Sequence, residues 1–200
     1  MTTPILTQRD GGILTVTLNL PDKRNPISDK GMIDALLETI RAAEQDIGVR
    51  VMILTGAGSA FSAGGDLKQM KEGKGLRADL PAQTRRNYRE GIQRLPLAFH
   101  AMELPVIAAI NGPAIGAGLD LACMCDIRIA GESAKFAESF VKLGIVPGDG
   151  GAWLLPRIVG FSKATELTLT GETFGAEAAL AMGLVSQVVP DAALLDTAMG

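Results

Sequence analysis

Histidine, cysteine and aromatic residues are nearly missing from this chain, and each shortage closes off a class of chemistry. His100 is its one histidine, Cys123 and Cys125 are its two cysteines, and aromatics make up 4%. That is too few ligands for a His/Cys zinc cluster, and two cysteines in one apolar stretch cannot staple a secreted domain. A serine hydrolase would have to take its base from His100 alone, and no G-x-S-x-G elbow accompanies it. A phosphate-binding GxxxxGK[ST] and a complete GxGxxG after a strand are absent too. Nor is there an excess of charge: 19 Lys and Arg face 22 Asp and Glu, for a net charge of −3. No basic patch suits nucleic acid or an anionic membrane as partner. The longest uncharged run, Leu104 to Leu119, is broken by Asn111, Pro113 and glycines, and is too short to span a bilayer. The N-terminus has no basic stretch leading into an apolar core, so no signal peptide is expected. A reduced, cytoplasmic protein is the expectation.

What the chain does have is 24 glycines among 200 residues that are 47% hydrophobic, enough for a substantial single core. Ile13–Leu18 reads as a strand, and Ser28 as the N-cap of a helix carrying Met32, Leu36, Ile40, Ala43 and Ile47 at helical spacing. Val51–Leu54 is a short buried strand, Asp66–Lys71 the start of a helix and Glu72–Ala82 a polar loop. Thr84–Glu103 has the period of one helix, its arginines 85, 86, 89 and 94 forming a solvated face, and Pro105 stops it. Val106–Ile110 and Asp126–Ala130 read as strands around a helix over Gly116–Cys123. Helices near Gly151–Ile158, Ser162–Leu169 and Gly175–Met182 precede a strand over Leu184–Val189. Strands and helices alternate throughout, which predicts α/β architecture.

Two segments share one design: an apolar strand, a turn of glycine and alanine, then an acid at the start of a helix. The first is VMILTGAGSAFSAGGDL, with Gly64, Gly65 and Asp66; the second is VIAAINGPAIGAGLDL, with Ala117, Gly118 and Asp120. Small residues let a ligand approach the backbone, and a helix N-terminus offers unpaired N–H groups at the positive end of its dipole. Two such donors aimed at one point form an oxyanion hole. Either loop alone is as readily a tight turn in which glycine relieves crowding.

Taken as a pair, FSAGGDL (61–67) and INGPAIGAGLDLACMCDIRIA (110–130) resemble the two signatures of the crotonase, or enoyl-CoA hydratase/isomerase, superfamily. LNLPDKRNPIS (18–28) is similar to its N-terminal loop, and KFAESFVKLGIVPGDGGAWLLPRIVG (135–160) to the segment after the second signature. The resemblance implies an α/β spiral of ββα repeats over residues 1–190, with 191–200 opening a C-terminal helical segment that is cut short. It further implies homotrimers or dimers of trimers, and an acyl-CoA substrate whose thioester carbonyl is polarised by the backbone N–H groups of Gly65 and Ala117. Ala63, Gly65, Asp66, Leu67, Lys68 and Ala117 would bind the substrate and its CoA. Lys23 or Arg24 would meet the CoA phosphates, or serve only as solvated cations.

The acids depart from the hydratase pattern of two glutamates. Asp120 stands at the first position and Phe140, an acyl-pocket candidate, at the second. Glu138 would point to the opposite face of an extended segment. Asp149 lies in the glycine turn 147–151, one residue from where related isomerases carry an aspartate. Asp120 is therefore the expected proton carrier, helped by Asp149 or, where that segment folds otherwise, by Glu138; the alternatives are a helix cap for Asp120 and a plain turn for Asp149. Hydration or a shift of the enoyl double bond would follow, with the single carboxylate favouring the shift. A thioesterase and a silent acyl-CoA-binding protein are the competing expectations. Neither metal nor redox cofactor is implied, CoA being part of the substrate. His100, Cys123, Cys125 and Trp153 read as packing residues.

Overall fold

The computed structural model describes residues 3–200. β1 (Ile5–Asp10) and β2 (Ile13–Leu18) form an antiparallel hairpin, whose first strand the sequence pattern did not mark. After α1 (Lys30–Gln45), β3 (Val51–Gly56) lies parallel to β2. Then come α2 (Leu67–Lys71), α3 (Pro81–Glu90), α4 (Arg94–Ala101) and β4 (Val106–Ile110), which pairs in parallel with β3. β5 (Ala114–Ile115), α5 (Ala117–Met124), β6 (Ile127–Gly131) and β7 (Lys135–Ala137) follow. The chain continues through α6 (Gly151–Val159), α7 (Phe161–Thr170), β8 (Thr173–Gly175), α8 (Ala176–Ala181), β9 (Gln187–Val189) and α9 (Leu194–Met199). The main sheet has the order β1-β2-β3-β4-β6-β9, and a smaller one the order β5-β7-β8.

β3 and β4 read as continuous apolar runs because both faces of the main sheet are covered. Val16, Leu18, Met52, Leu54, Ala108 and Ile110 point into the larger core, together with Met32, Ile33 and Leu36 of α1. Ile53, Ala109 and Ile129 alternate to the other face, where Leu194 and Ala198 of α9 cover them. Among the described residues no helix is long and apolar enough to cross a membrane.

Two boundaries differ from the periodicity. The helix expected over 84–103 is two helices, broken at Gly91, where a Cβ would stand 2.5 Å from the Asn87 carbonyl oxygen. Asp29, not Ser28, caps α1 by accepting from the Met32 N–H, and the helix ends before Ile47, which is exposed. Ser28 instead accepts from the Asp66 N–H at 2.8 Å, tying the N-terminal loop to the first glycine loop.

The same loop supplies a buried clamp. Asn25 is fully buried at φ 53°; its Oδ1 accepts from the Leu20 N–H, and its Nδ2 donates to the carbonyls of Ala57 and Ala60. Its own carbonyl accepts from Ser62 Oγ, which also accepts from the Gly64 N–H. Removing the amide strands several buried backbone groups at once. Asn25→Ala is expected to cost about 2–4 kcal/mol, read as a lowered midpoint in chemical denaturation.

Candidate active site

β3 and β4 are neighbours in the sheet, and both glycine loops leave their carboxyl ends, where α/β sheets place ligands. Ser62 joins the two loops: its N–H donates to the Pro113 carbonyl, and its carbonyl accepts from the Ile115 N–H. The loops abut so closely that side chains are excluded. A Cβ on Gly64, whose φ is +81°, would stand 2.3 Å from the Ile115 oxygen, and one on Gly118 2.2 Å from the Ser62 oxygen. This contact fixes Gly65 and Ala117 relative to each other. Neither of their N–H groups donates a hydrogen bond to another described residue. Both residues line a cavity of about 240 Å³.

One acid also lines that cavity, and it is Asp149. Asp120 is sealed behind it with no exposed surface. Glu138 is equally buried and does not point away from the site, because the extended run ends at Ala137 and Ser139–Leu143 turns as a 3₁₀ helix. Asp120 lies within hydrogen-bonding reach of both Glu138 and Asp149. Gly151, at the start of α6, makes room for it: a Cβ there would lie 2.0 Å from Asp120 Oδ1. Both oxygens of Asp120 and of Glu138, and Oδ1 of Asp149, are buried without an N–H or hydroxyl partner.

Three carboxyls in a dry interior cannot all be charged. Burial, and then the charges of Asp149 and Glu138, push Asp120 well above the ordinary carboxylate range. Burial, with Asp149 beside it, lifts Glu138 to about 8. Burial raises Asp149 as well, but contact with Asp120 and the N–H groups of Gly148 and of Asp149 itself favour its charged form. Asp149 is the acid that faces the cavity, and N–H groups of Gly148 and its own backbone lie on it.

The other sequence candidates scatter. Ala63, Leu67 and Phe140 line the cavity, with Tyr88, Ile92 and Leu76 opposite. Asp66 and Lys68 do not: the Asp66 carboxylate caps α2, accepting from the Lys68 and Gln69 N–H groups, and Lys68 is exposed. Lys23 and Arg24 are exposed on a 3₁₀ turn and its cap. His100 is not a core residue but exposed, edge-on to a half-exposed Trp153 at 5.7 Å. Both line a second, larger cavity of about 710 Å³, which meets the first at Asp149. Cys123 and Cys125 are buried, and burial pushes the Cys125 thiol up to about 12, leaving no reactive thiolate. Among the described residues no three His, Cys, Asp or Glu side chains are arranged to hold a metal ion.

Comparison with known proteins decides the family, since the family model described as enoyl-CoA hydratase/isomerase matches residues 8–200. The chain belongs to the enoyl-CoA hydratase/isomerase family. It is 42% identical to 1,2-epoxyphenylacetyl-CoA isomerase of Escherichia coli over 97% of its own length and 72% of that protein's. The solved enoyl-CoA hydratase of Bacillus anthracis superposes with a TM-score of 0.90 at 34% identity, covering 98% of this chain and 74% of that one. A monofunctional enoyl-CoA isomerase of M. smegmatis superposes at 0.79 with 38% identity, covering 99% and 82%. The architecture is therefore the crotonase fold, as the paired glycine signatures led one to expect. The chain is an enzyme of this acyl-CoA family.

Sequence alone left open whether Glu138 or Asp149 assists Asp120, because the face of Glu138 depends on how far the strand runs, and it ends at Ala137. The raised value of Glu138 has a sign that can be checked. Unfolded chains release this proton near 4.5 and the folded protein holds it to about 8, so its contribution to stability is complete below 4.5 and is lost as pH rises to 8. Glu138→Gln cannot ionise. Relative to the parent, it should gain on the order of 2 kcal/mol or more between about pH 5 and pH 8, measured by chemical denaturation at both.

Proposed function

We propose that this enzyme shifts the carbon–carbon double bond of an enoyl-CoA. The observation that carries the reading is one cavity lined at once by two free backbone N–H groups and a single acid. The thioester oxygen would accept from the Gly65 and Ala117 N–H groups. As a proton leaves the acyl chain, negative charge gathers on that oxygen, and each donor can lower the barrier by about 3 kcal/mol. Asp149 would take the proton through the edge it presents to the cavity, exchange it with solvent and deliver a proton to a different carbon. Asp120 would act from behind, holding Asp149 in place.

Phe140 supports isomerisation over hydration. It occupies the wall where a second carboxylate would be needed to orient water, and an apolar ring repels that water. Ala63 and Leu67 would border the CoA arm, while Asp66 shapes that wall only by capping α2. The chemistry asks nothing of a metal or redox group. Hydrolysis of the thioester is the alternative, with water or Asp149 attacking the acyl carbon. A homotrimer would cover the apolar residues Leu97, Val146 and Phe161, which the single chain leaves exposed.

Incubation of 2-enoyl- and 3-enoyl-CoA with the protein in D2O, followed by mass spectrometry, tests the reading. Deuterium at the α or γ carbon without added water is expected. A product heavier by one water means hydration, and free CoA thiol means hydrolysis; either overturns it. Asp149→Asn should lower the exchange rate by about 10²-fold or more while leaving CoA-thioester binding within a few-fold.

A further inference from the structure

We propose that Glu138 is a positioning residue, the far end of a sealed relay Glu138–Asp120–Asp149 that works only while the three carboxyls carry one negative charge between them. The inference rests on the reading of Asp149 as the proton-transferring group. It draws on a feature that reading does not use: Glu138, a third buried acid within reach of Asp120, whose oxygens have no N–H or hydroxyl partner. Besides the Gly151 N–H beside Asp120, the hydrogens on offer to Glu138 and Asp120 are carboxyl protons. With two protons in the cluster, Glu138 donates to Asp120, Asp120 donates to Asp149, and Asp149 stays anionic at the cavity wall. Each buried oxygen pair then has a partner, and the one charge sits where backbone N–H groups favour it.

The reaction uses that state directly. Asp149 removes a proton from the acyl chain: a C–H bond breaks, an O–H bond forms, and the electron pair moves to the thioester oxygen. Asp149, which borders the cavity, exchanges that proton with solvent and delivers a proton to another carbon, while the electron pair on oxygen re-forms the carbonyl and the double bond shifts. If Glu138 loses its proton, the relay carries two charges beside a developing enolate. That is repulsive in a dry site. The ionisable groups facing the relay are few: Cys123 on α5, which Arg128 of β6 approaches, and Tyr88 of α3, which faces Asp149. None of them places a cation on Glu138 itself.

The experiment is the pH dependence of isomerisation for the parent and for Glu138→Gln, with circular dichroism confirming the fold. For the parent we expect a bell: a rise as the cluster loses its first proton and a fall near pH 8 as it loses the second. Glu138→Gln keeps a donor but cannot ionise, so the alkaline fall should vanish while the rate below about pH 7 stays within several-fold. A uniform drop with the fall intact would mean packing alone and overturns the proposal. Should the variant fail to fold, infrared difference spectroscopy of the parent decides. A protonated-carboxyl band present at neutral pH that loses about half its intensity near pH 8 supports the relay; no such band, or one unchanged through pH 8, overturns it. The infrared signal does not depend on turnover, so a protein inactive towards enoyl-CoA would refute the functional reading and leave the relay separately testable.

Discussion

The backbone contact between the two glycine loops is the constraint on which the rest of the site depends. Gly64 lies against the Ile115 carbonyl and Gly118 against the Ser62 carbonyl, each at a distance that no Cβ tolerates. Parallel pairing of β3 with β4 brings the loops to the same end of the sheet, and the Ser62 hydrogen bonds lock their register. Asn25 and Ser28 then hold the outer loop from the other side. The result is two N–H donors whose spacing is set by main chain rather than by flexible side chains. Preorganisation of this kind spares the donors any rearrangement when charge develops on a bound carbonyl.

Electrostatics gives the site its second half. The interior next to the donors is acidic and buried, so protons are held there at a pH where exposed carboxyls have lost theirs. Burial costs stability, and the relay of Glu138, Asp120 and Asp149 limits that cost by letting the acids solvate one another. Gly151 is part of the same arrangement, since any side chain at that position would displace Asp120. The donors and the acids meet in the small cavity through Asp149 alone.

Much of this was legible in the sequence, for definable reasons. The strands β3 and β4 announce themselves as uninterrupted apolar runs, and the glycine turns after them carry their own steric logic, so the α/β class followed, while Gly65 and Ala117 were singled out by the family resemblance of the paired loops. Depth was not legible. Asp120 and Asp149 were ranked by position in a motif, and only the three-dimensional arrangement puts Asp149 at the cavity wall and Asp120 behind it. Glu138 was set on the opposite face on condition that its segment stayed extended, and the strand there is only three residues long. Asp66 was named a substrate contact by the family resemblance, and in the structure its carboxylate caps α2. Long-range polar bonds such as those of Asn25 leave no periodic trace at all.

The central claim is that the abutting loops present two backbone donors to one thioester oxygen. Isotope-edited infrared spectroscopy of a bound enoyl-CoA labelled with ¹³C at the thioester carbonyl tests it most directly. The account predicts a carbonyl band shifted to lower frequency on binding, and a shift largely lost in Gly118→Ala, where the added methyl must part the loops. An unshifted band in the parent protein, or the same shift in a correctly folded Gly118→Ala, would contradict it.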